Sequence, residues 1–168
     1  LKQNVQNVMH KYQKKLTDLA HKEDINILSR IRRRDFLSAA KYFKNRPKHL
    51  RNILKMYNKK FYRLLKSHAS DSSEFKIQYY SQFKTRWKQL TDEFLEITVQ
   101  TQQLALQTEL ILTFTRFSLK SFKHNFVPLN YYTENLNLKH KHVSHTLMSL
   151  ISDGVLKGKL DLTHEIYI

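Results

Sequence analysis

The chain has 168 residues, with 30 Lys and Arg against 14 Asp and Glu, for a formal net charge of +16. Hydrophobic residues make up 40% and aromatic residues 12%, which predicts folded protein over most of the length. The absence of cysteine excludes disulfides and thiolate metal sites. The sequence contains no run of about 18 apolar residues, so no membrane span is predicted.

The positive charge is concentrated towards the N-terminus. Residues 1–66 hold 19 Lys and Arg against four acids, whereas residues 67–168 hold 11 against ten. This asymmetry is typical of a surface for a polyanion, an acidic protein or an anionic membrane, with solvated helix faces as the alternative. Since the chain starts without Met or a signal peptide, we expect a fragment of a longer cytoplasmic or nuclear protein.

Apolar residues at three- and four-residue intervals predict three helices in the basic part. The first covers about 1–21. The second begins near Asp24 as a helix cap and ends at Asn45-Arg46-Pro47, since proline disfavours the helix interior. Pro47 then opens a third helix over about 48–68.

A second helical stretch is predicted over 73–123. Ser70-Asp71-Ser72-Ser73 supplies capping groups before it, and neither glycine nor proline occurs within it. A straight helix of this length would exceed about 70 Å, so we expect a break, with Thr91-Asp92-Glu93 as a cap. Its regular apolar seam contains Phe83, Trp87, Leu90, Phe94 and Ile97.

The last 43 residues have a different pattern. Short helices are predicted over 130–135 and 141–152, followed by strands over 155–160 and 165–168, with Gly154 and Gly158 at the turns. This order is typical of a winged helix. The sequence therefore predicts a mainly α protein: a helical bundle or helical hairpins over 1–125, then a winged-helix domain with a small β hairpin over 126–168.

The pattern of this C-terminal segment consists of Leu136, Asn137, Leu138, Val143, Leu147, Leu150, Ile151, Gly154, Leu156, Gly158, Leu160 and Asp161. With these residues the segment resembles the winged-helix half of the PCI family, which includes subunits of the proteasome lid, the signalosome and a translation initiation factor. Its end, from Gly158-Lys-Leu-Asp161 to Ile166-Tyr-Ile168, is also similar to the end of DDRGK domain-containing proteins. Asn137 departs from the family pattern because glycine is common there.

The resemblance implies a non-catalytic scaffold or adaptor subunit that docks other protein subunits through its winged helix. No enzymatic activity, small-molecule substrate or cofactor is expected. No metal site is expected either, since His142 and His145 have no third ligand at suitable spacing. A membrane partner is disfavoured because the apolar helix faces are needed for a core. The candidate partner-binding residues are His142, His145, Leu156, Lys157 and Lys159.

The basic N-terminal helices would meet an acidic partner, and the alternative is nucleic acid. In that alternative, RNA or DNA phosphates contact residues 1–66 and the winged helix adds further contacts. Base-specific reading is disfavoured because residues 139–152 contain no arginine. The candidate polyanion-binding residues are Arg30, Arg32, Arg33, Arg34, Lys48, Arg51, Lys55, Lys59, Arg63 and Lys66.

Overall fold

The computed structural model describes residues 1–121, 125–164 and 166–168. The described chain is mainly helical, as predicted. Its elements in chain order are α1 (Lys2–Arg32), α2 (Phe36–Asp71), α3 (Ser73–Gln78), α4 (Tyr80–Glu93), a π-helix (Phe94–Thr101), α5 (Gln102–Ser121), β1 (Val127–Pro128), α6 (Leu129–Leu136), α7 (His140–Ser152), β2 (Leu160–Asp161) and β3 (Ile166–Tyr167).

The chain forms two compact units. Unit 1 comprises Leu1–Glu23 and Arg46–Gln102, and unit 2 comprises Asp24–Asn45 and Gln103–Ile168. The segment 126–168 lies within unit 2, together with parts of α1, α2 and α5. Its independence as a domain stays a prediction.

The first two predicted helices are one. Helix α1 continues through Asp24, which lies inside the helix and does not cap a new one. No glycine or proline interrupts residues 2–32, so the helical hydrogen bonds continue. The helix ends at Arg33-Arg34, where Arg34 adopts a positive φ of 65°, and Asp35 N–H bonds back to the Arg30 carbonyl oxygen at 3.0 Å.

The predicted helix end at Pro47 is also wrong, because α2 runs through it. Proline lacks the N–H that would bond to the carbonyl four residues earlier, here that of Phe43. The side-chain amide of Gln103 donates to this Phe43 carbonyl oxygen at 3.0 Å. A side chain from α5 thus replaces the missing backbone donor.

The break predicted at residues 70–73 is confirmed. Helix α2 ends at Asp71, and the hydroxyl of Ser72 caps α3 by accepting the Phe75 N–H at 3.2 Å. The next interruption lies at Tyr79, and the π-helix begins directly after Glu93. Phe83, Trp87 and Phe94 of the predicted seam are buried, but Ile97 is exposed. A π-helix has more residues per turn than an α-helix, which rotates Ile97 off the seam.

The core of unit 1 is aromatic. Trp87 is fully buried, stacks on Phe61 at 4.5 Å between ring centroids, and donates its indole N–H to the Asn58 side-chain oxygen at 2.8 Å. Arg46 is also fully buried. Its guanidinium donates to the carbonyl oxygens of Thr98 and Val99 in the π-helix, at 2.6 and 3.2 Å.

Unit 2 ends in a three-stranded antiparallel sheet of order β1-β3-β2. Tyr167 lies opposite both Val127 and Leu160. The predicted strand over 155–160 is too long, because Val155 and Leu156 turn back onto α7 and both donate their N–H groups to the Leu150 carbonyl oxygen. The predicted strand over 165–168 begins at Glu165, which lies outside the described residues.

Helices α6 and α7 follow their predicted positions within one residue. Between them Asn137 adopts the left-handed conformation, with φ 52° and ψ 40°, and ends α6. Asparagine tolerates this conformation better than most residues, which explains its use where glycine is common.

A buried hydrogen bond links α6 to α5. The hydroxyls of Tyr132 and Thr115 are 2.7 Å apart. Burial raises the pKa of Tyr132, and the Thr115 hydrogen bond opposes part of that rise.

Candidate functional site

Two of the predicted partner-binding residues lie together in a groove on unit 2. His142 and His145 are exposed on α7 and face a depression between α7 and α5 with a volume of about 470 Å³. We call this the α5–α7 groove. The residues that line it are Leu104, Gln107, Lys141, His142, Ser144, His145 and Met148.

The α5–α7 groove contains exposed apolar side chains. Leu104 is 62% exposed and Met148 is 51% exposed. The Gln107 side-chain amide donates to the Thr146 hydroxyl at 3.0 Å, which links α5 to α7 beside them. Single exposed apolar side chains are common, whereas apolar side chains that share one depression with a polar rim favour a protein contact surface.

Leu156 is not a partner contact. Its side chain is 6% exposed and belongs to the hydrophobic core of unit 2. The turn after Gly154 brings Leu156 back against the end of α7, where its N–H bonds to the Leu150 carbonyl oxygen at 3.1 Å. Leu156→Asp would therefore disrupt folding, and we do not retain Leu156 as a docking residue.

Lys157 and Lys159 are exposed in the segment that leads from α7 to β2. Their side chains are free to meet a partner, while their backbones are held in place. The Tyr167 hydroxyl donates to the Lys157 carbonyl oxygen. Lys159 and Ile168 exchange backbone hydrogen bonds of 2.9 and 2.8 Å. The two lysines thus project from an ordered backbone.

The turn between β2 and β3 is organised by Asp161. Its carboxylate accepts the backbone N–H groups of Thr163 and His164 at 3.0 and 3.2 Å. The His164 ring nitrogen Nδ1 lies 2.7 Å from the second carboxylate oxygen. The hydrogen bonds from the His164 side chain and backbone hold the pKa of Asp161 below its ordinary value.

Two members of the four-arginine cluster, Arg30 and Arg34, form hydrogen bonds within the protein. Arg30 contacts Asn26 and Ser38 through hydrogen bonds, lies 3.8 Å from an Asp35 oxygen, and stacks over the Tyr42 ring at 4.3 Å. Arg34 donates to the carbonyl oxygens at the end of α1. Arg32 and Arg33 are exposed, and no hydrogen bond or ion pair of their side chains is described.

The predicted stripe on α2 is present as a continuous exposed face within unit 1. All six side chains are exposed. None forms an ion pair with a carboxylate among the residues that the structure describes. The members of this α2 basic face are Lys48, Arg51, Lys55, Lys59, Arg63 and Lys66.

Sequence reasoning missed the apolar part of the groove. Neither Leu104 nor Met148 was among the predicted partner-binding residues. The available signal was that Met148 lies about 100° around the helix from Leu147, to one side of the buried stripe of Val143, Leu147 and Leu150. The burial of Arg46 was missed as well, because nothing in the local sequence identifies its carbonyl partners.

Comparisons with known proteins add one match. The family model described as "PCI domain" matches residues 82–168, just over half of the chain. The match includes α5, α7 and the sheet strands β1, β2 and β3, and so covers the α5–α7 groove. No curated protein and no solved structure matches the chain. In the described part of the chain, no helix has the length and apolarity needed to cross a bilayer.

Proposed function

Because this chain belongs to the PCI domain family, we propose that it is a non-catalytic scaffold subunit of a multi-protein complex and docks a partner on the α5–α7 groove. PCI domains are typical of scaffold subunits and mediate protein–protein contacts in such assemblies. The observation that carries the docking site is an exposed apolar groove inside the family-matched segment.

The segment 126–168 is proposed to act as a winged helix. Three features support this: α6 and α7 follow each other through a left-handed Asn137, α7 ends in a glycine turn at Gly154, and β2 pairs antiparallel with β3. The exposed face of α7 would then be the docking helix. The exposed segment between α7 and β2, with Lys157 and Lys159, would extend the contact.

The chemistry of the groove indicates the kind of partner segment. Leu104 and Met148 offer apolar surface, and methionine adapts its shape to different partners. Lys141, His142 and His145 line the same groove and carry no described acidic partner. We therefore expect a partner helix or loop with apolar side chains flanked by carboxylates, since opposite charges orient such contacts.

The docking proposal is tested by affinity purification of the tagged full chain from cells, with mass spectrometry of the co-purified proteins. The wild-type chain should recover a defined partner in constant proportion. Leu104→Ser combined with Met148→Ser should lose that partner, because both side chains lie at the surface of the groove. Retention of every partner by the folded double variant would refute the proposed site.

A matched control removes apolar surface elsewhere. Leu37 and Ile77 are 79% and 83% exposed and lie outside the α5–α7 groove. Leu37→Ser combined with Ile77→Ser should keep the partner. Circular dichroism should show that both double variants remain folded, since exposed substitutions usually change stability by less than about 0.5 kcal/mol. His145→Asp should weaken the binding of an acidic partner without affecting the folding of the chain.

A further inference from the structure

Helix α2 has an unusual distribution of charge. Over Phe36–Asp71 it contains ten Lys and Arg, and its only acidic residue is Asp71 at the C-terminal end. An ordinary solvated helix interleaves acids and bases so that pairs four residues apart attract. Helix α2 lacks such pairs over almost its entire length.

The six cations of the α2 basic face form a line. Successive members are three or four residues apart, which places them on one side of the helix. At about 1.5 Å per residue, the 18-residue separation of Lys48 and Lys66 spans about 27 Å. The opposite side of the helix is the buried one, with Leu54, Phe61 and Leu65 in the core of unit 1.

This arrangement opposes the stability of the free helix. Lys55 follows Arg51, Lys59 follows Lys55, and Arg63 follows Lys59, each four residues later. Like charges at this spacing destabilise a helix by roughly 0.2–0.5 kcal/mol per pair. No carboxylate among the described residues forms an ion pair with any of them. A row of repelling, unpaired cations suits a ligand that supplies a row of negative charges.

We propose that the α2 basic face binds the phosphate backbone of nucleic acid. An extended polyanion matches a straight row of cations, and each phosphate contact adds affinity by releasing counterions. Beside the C-terminal half of the row, Tyr62 is half-buried in a shallow depression lined by Lys59, Arg63 and Lys66. The exposed part of this ring provides a surface on which an unpaired base can stack.

A membrane surface fits α2 less well. Helices that bind at a bilayer interface insert an apolar face, whereas the apolar face of α2 in unit 1 is buried in the core. The α2 basic face also lies outside the family-matched residues 82–168. The nucleic-acid contact is therefore independent of the docking proposed for the α5–α7 groove, and one can fail without the other.

The test is fluorescence anisotropy of a labelled single-stranded RNA of about 20 nucleotides, titrated with the full chain from about 50 to 200 mM NaCl. With up to six phosphate contacts, the slope of log K against log salt should reach about −4 for a single strand. In Lys55→Gln/Lys59→Gln/Arg63→Gln, the slope should become shallower by about 2, and the affinity for RNA at about 100 mM salt should drop by at least about tenfold.

The control variant removes the same charges from another surface. Lys76, Lys84 and Arg86 are exposed on α3 and α4 of unit 1, and Lys76→Gln/Lys84→Gln/Arg86→Gln should bind RNA with nearly the wild-type slope. Absence of binding at about 50 mM salt, or equal loss in both variants, would overturn the proposal. So would competition by polyglutamate as strong as that by RNA, or binding to phosphatidylserine vesicles without binding to RNA.

Discussion

The side-chain amide of Gln103 donates a 3.0 Å hydrogen bond to the backbone carbonyl oxygen of Phe43, four residues before Pro47. Proline in a helix interior normally kinks or ends the helix because this carbonyl loses its N–H donor. Gln103, at the start of α5, supplies the donor instead. Gln103 thus offsets one of the two costs of a proline inside the 36-residue α2, the lost hydrogen bond, while the contact of the proline ring with this carbonyl remains.

A double-mutant cycle tests this relationship. Gln103→Ala should lower the free energy of unfolding by about 1 kcal/mol, because the Phe43 carbonyl loses its donor. In a Pro47→Ala background the new N–H at position 47 can bond to Phe43, so the same substitution should cost clearly less. Urea unfolding followed by circular dichroism measures both. Equal costs in the two backgrounds would show that Gln103 does not compensate for the proline.

The buried Arg46 leads to a second prediction. Arg46→Met keeps most of the side-chain volume but removes the donors to Thr98 and Val99 in the π-helix. Hydrogen bonds from a charged group contribute about 1.5–3 kcal/mol, so unit 1 should lose stability of this order. Urea unfolding followed by the fluorescence of Trp87, the chain's single tryptophan, reports on this unit. Arg51→Met, at an exposed position of the same helix, should change stability by less than about 0.5 kcal/mol.

The two glycines should differ in their tolerance of alanine. Gly154 has φ +75° with open space where a Cβ would lie, so Gly154→Ala should cost about 1 kcal/mol from backbone strain alone. Gly158 has φ +120°, and a Cβ there would overlap the carbonyl oxygen of Ile168. Gly158→Ala should therefore lower the free energy of unfolding by more than Gly154→Ala does. It should also break the backbone hydrogen bonds between Lys159 and Ile168. Amide hydrogen exchange at Ile168 would detect this loss, and equal protection in both variants would contradict it.

The turn at Asp161 gives a pH prediction. The folded pKa of Asp161 is lowered, chiefly by the hydrogen bond from His164. The stability that ionised Asp161 gives to the turn should therefore be complete above the ordinary aspartate pKa of about 3.9. It should be lost as the pH falls through the pKa of Asp161 in the folded state. Carbon-detected NMR titration should find the Asp161 pKa below that ordinary value, and His164→Ala should raise it. An unchanged pKa in His164→Ala would rule out the proposed cause.

Local sequence signals were sufficient for the positions of helices α6 and α7. Glycine and asparagine mark the ends of α6 and α7 because these positions need positive φ, and this requirement can be seen in the sequence. The strand over 155–160 was predicted too long because Val155 and Leu156 bond to the end of α7. An apolar pair can equally belong to a strand or to the turn after a helix.

The N-terminal helices were harder to predict because their ends depend on distant partners. Asp24 has a side chain suited to capping, yet the helix continues because nothing in the sequence breaks it. Pro47 is a strong local signal, but α2 continues through it, and Gln103, 56 residues later in the sequence, replaces the lost donor. The α5–α7 groove combines residues from two helices that the sequence does not place side by side, so only His142 and His145 among its lining residues were predicted.

The most direct measurement of the docking claim is site-specific photocrosslinking in cells. A photoreactive phenylalanine analogue replaces Met148 in the full chain, and the same analogue at Ile77 serves as the control, since both side chains are exposed. We predict a crosslink from position 148 to one defined protein, which is lost when Leu104 and His145 are also changed to Ser and Asp. An absence of crosslinks at position 148, or the same products from both positions, would contradict it.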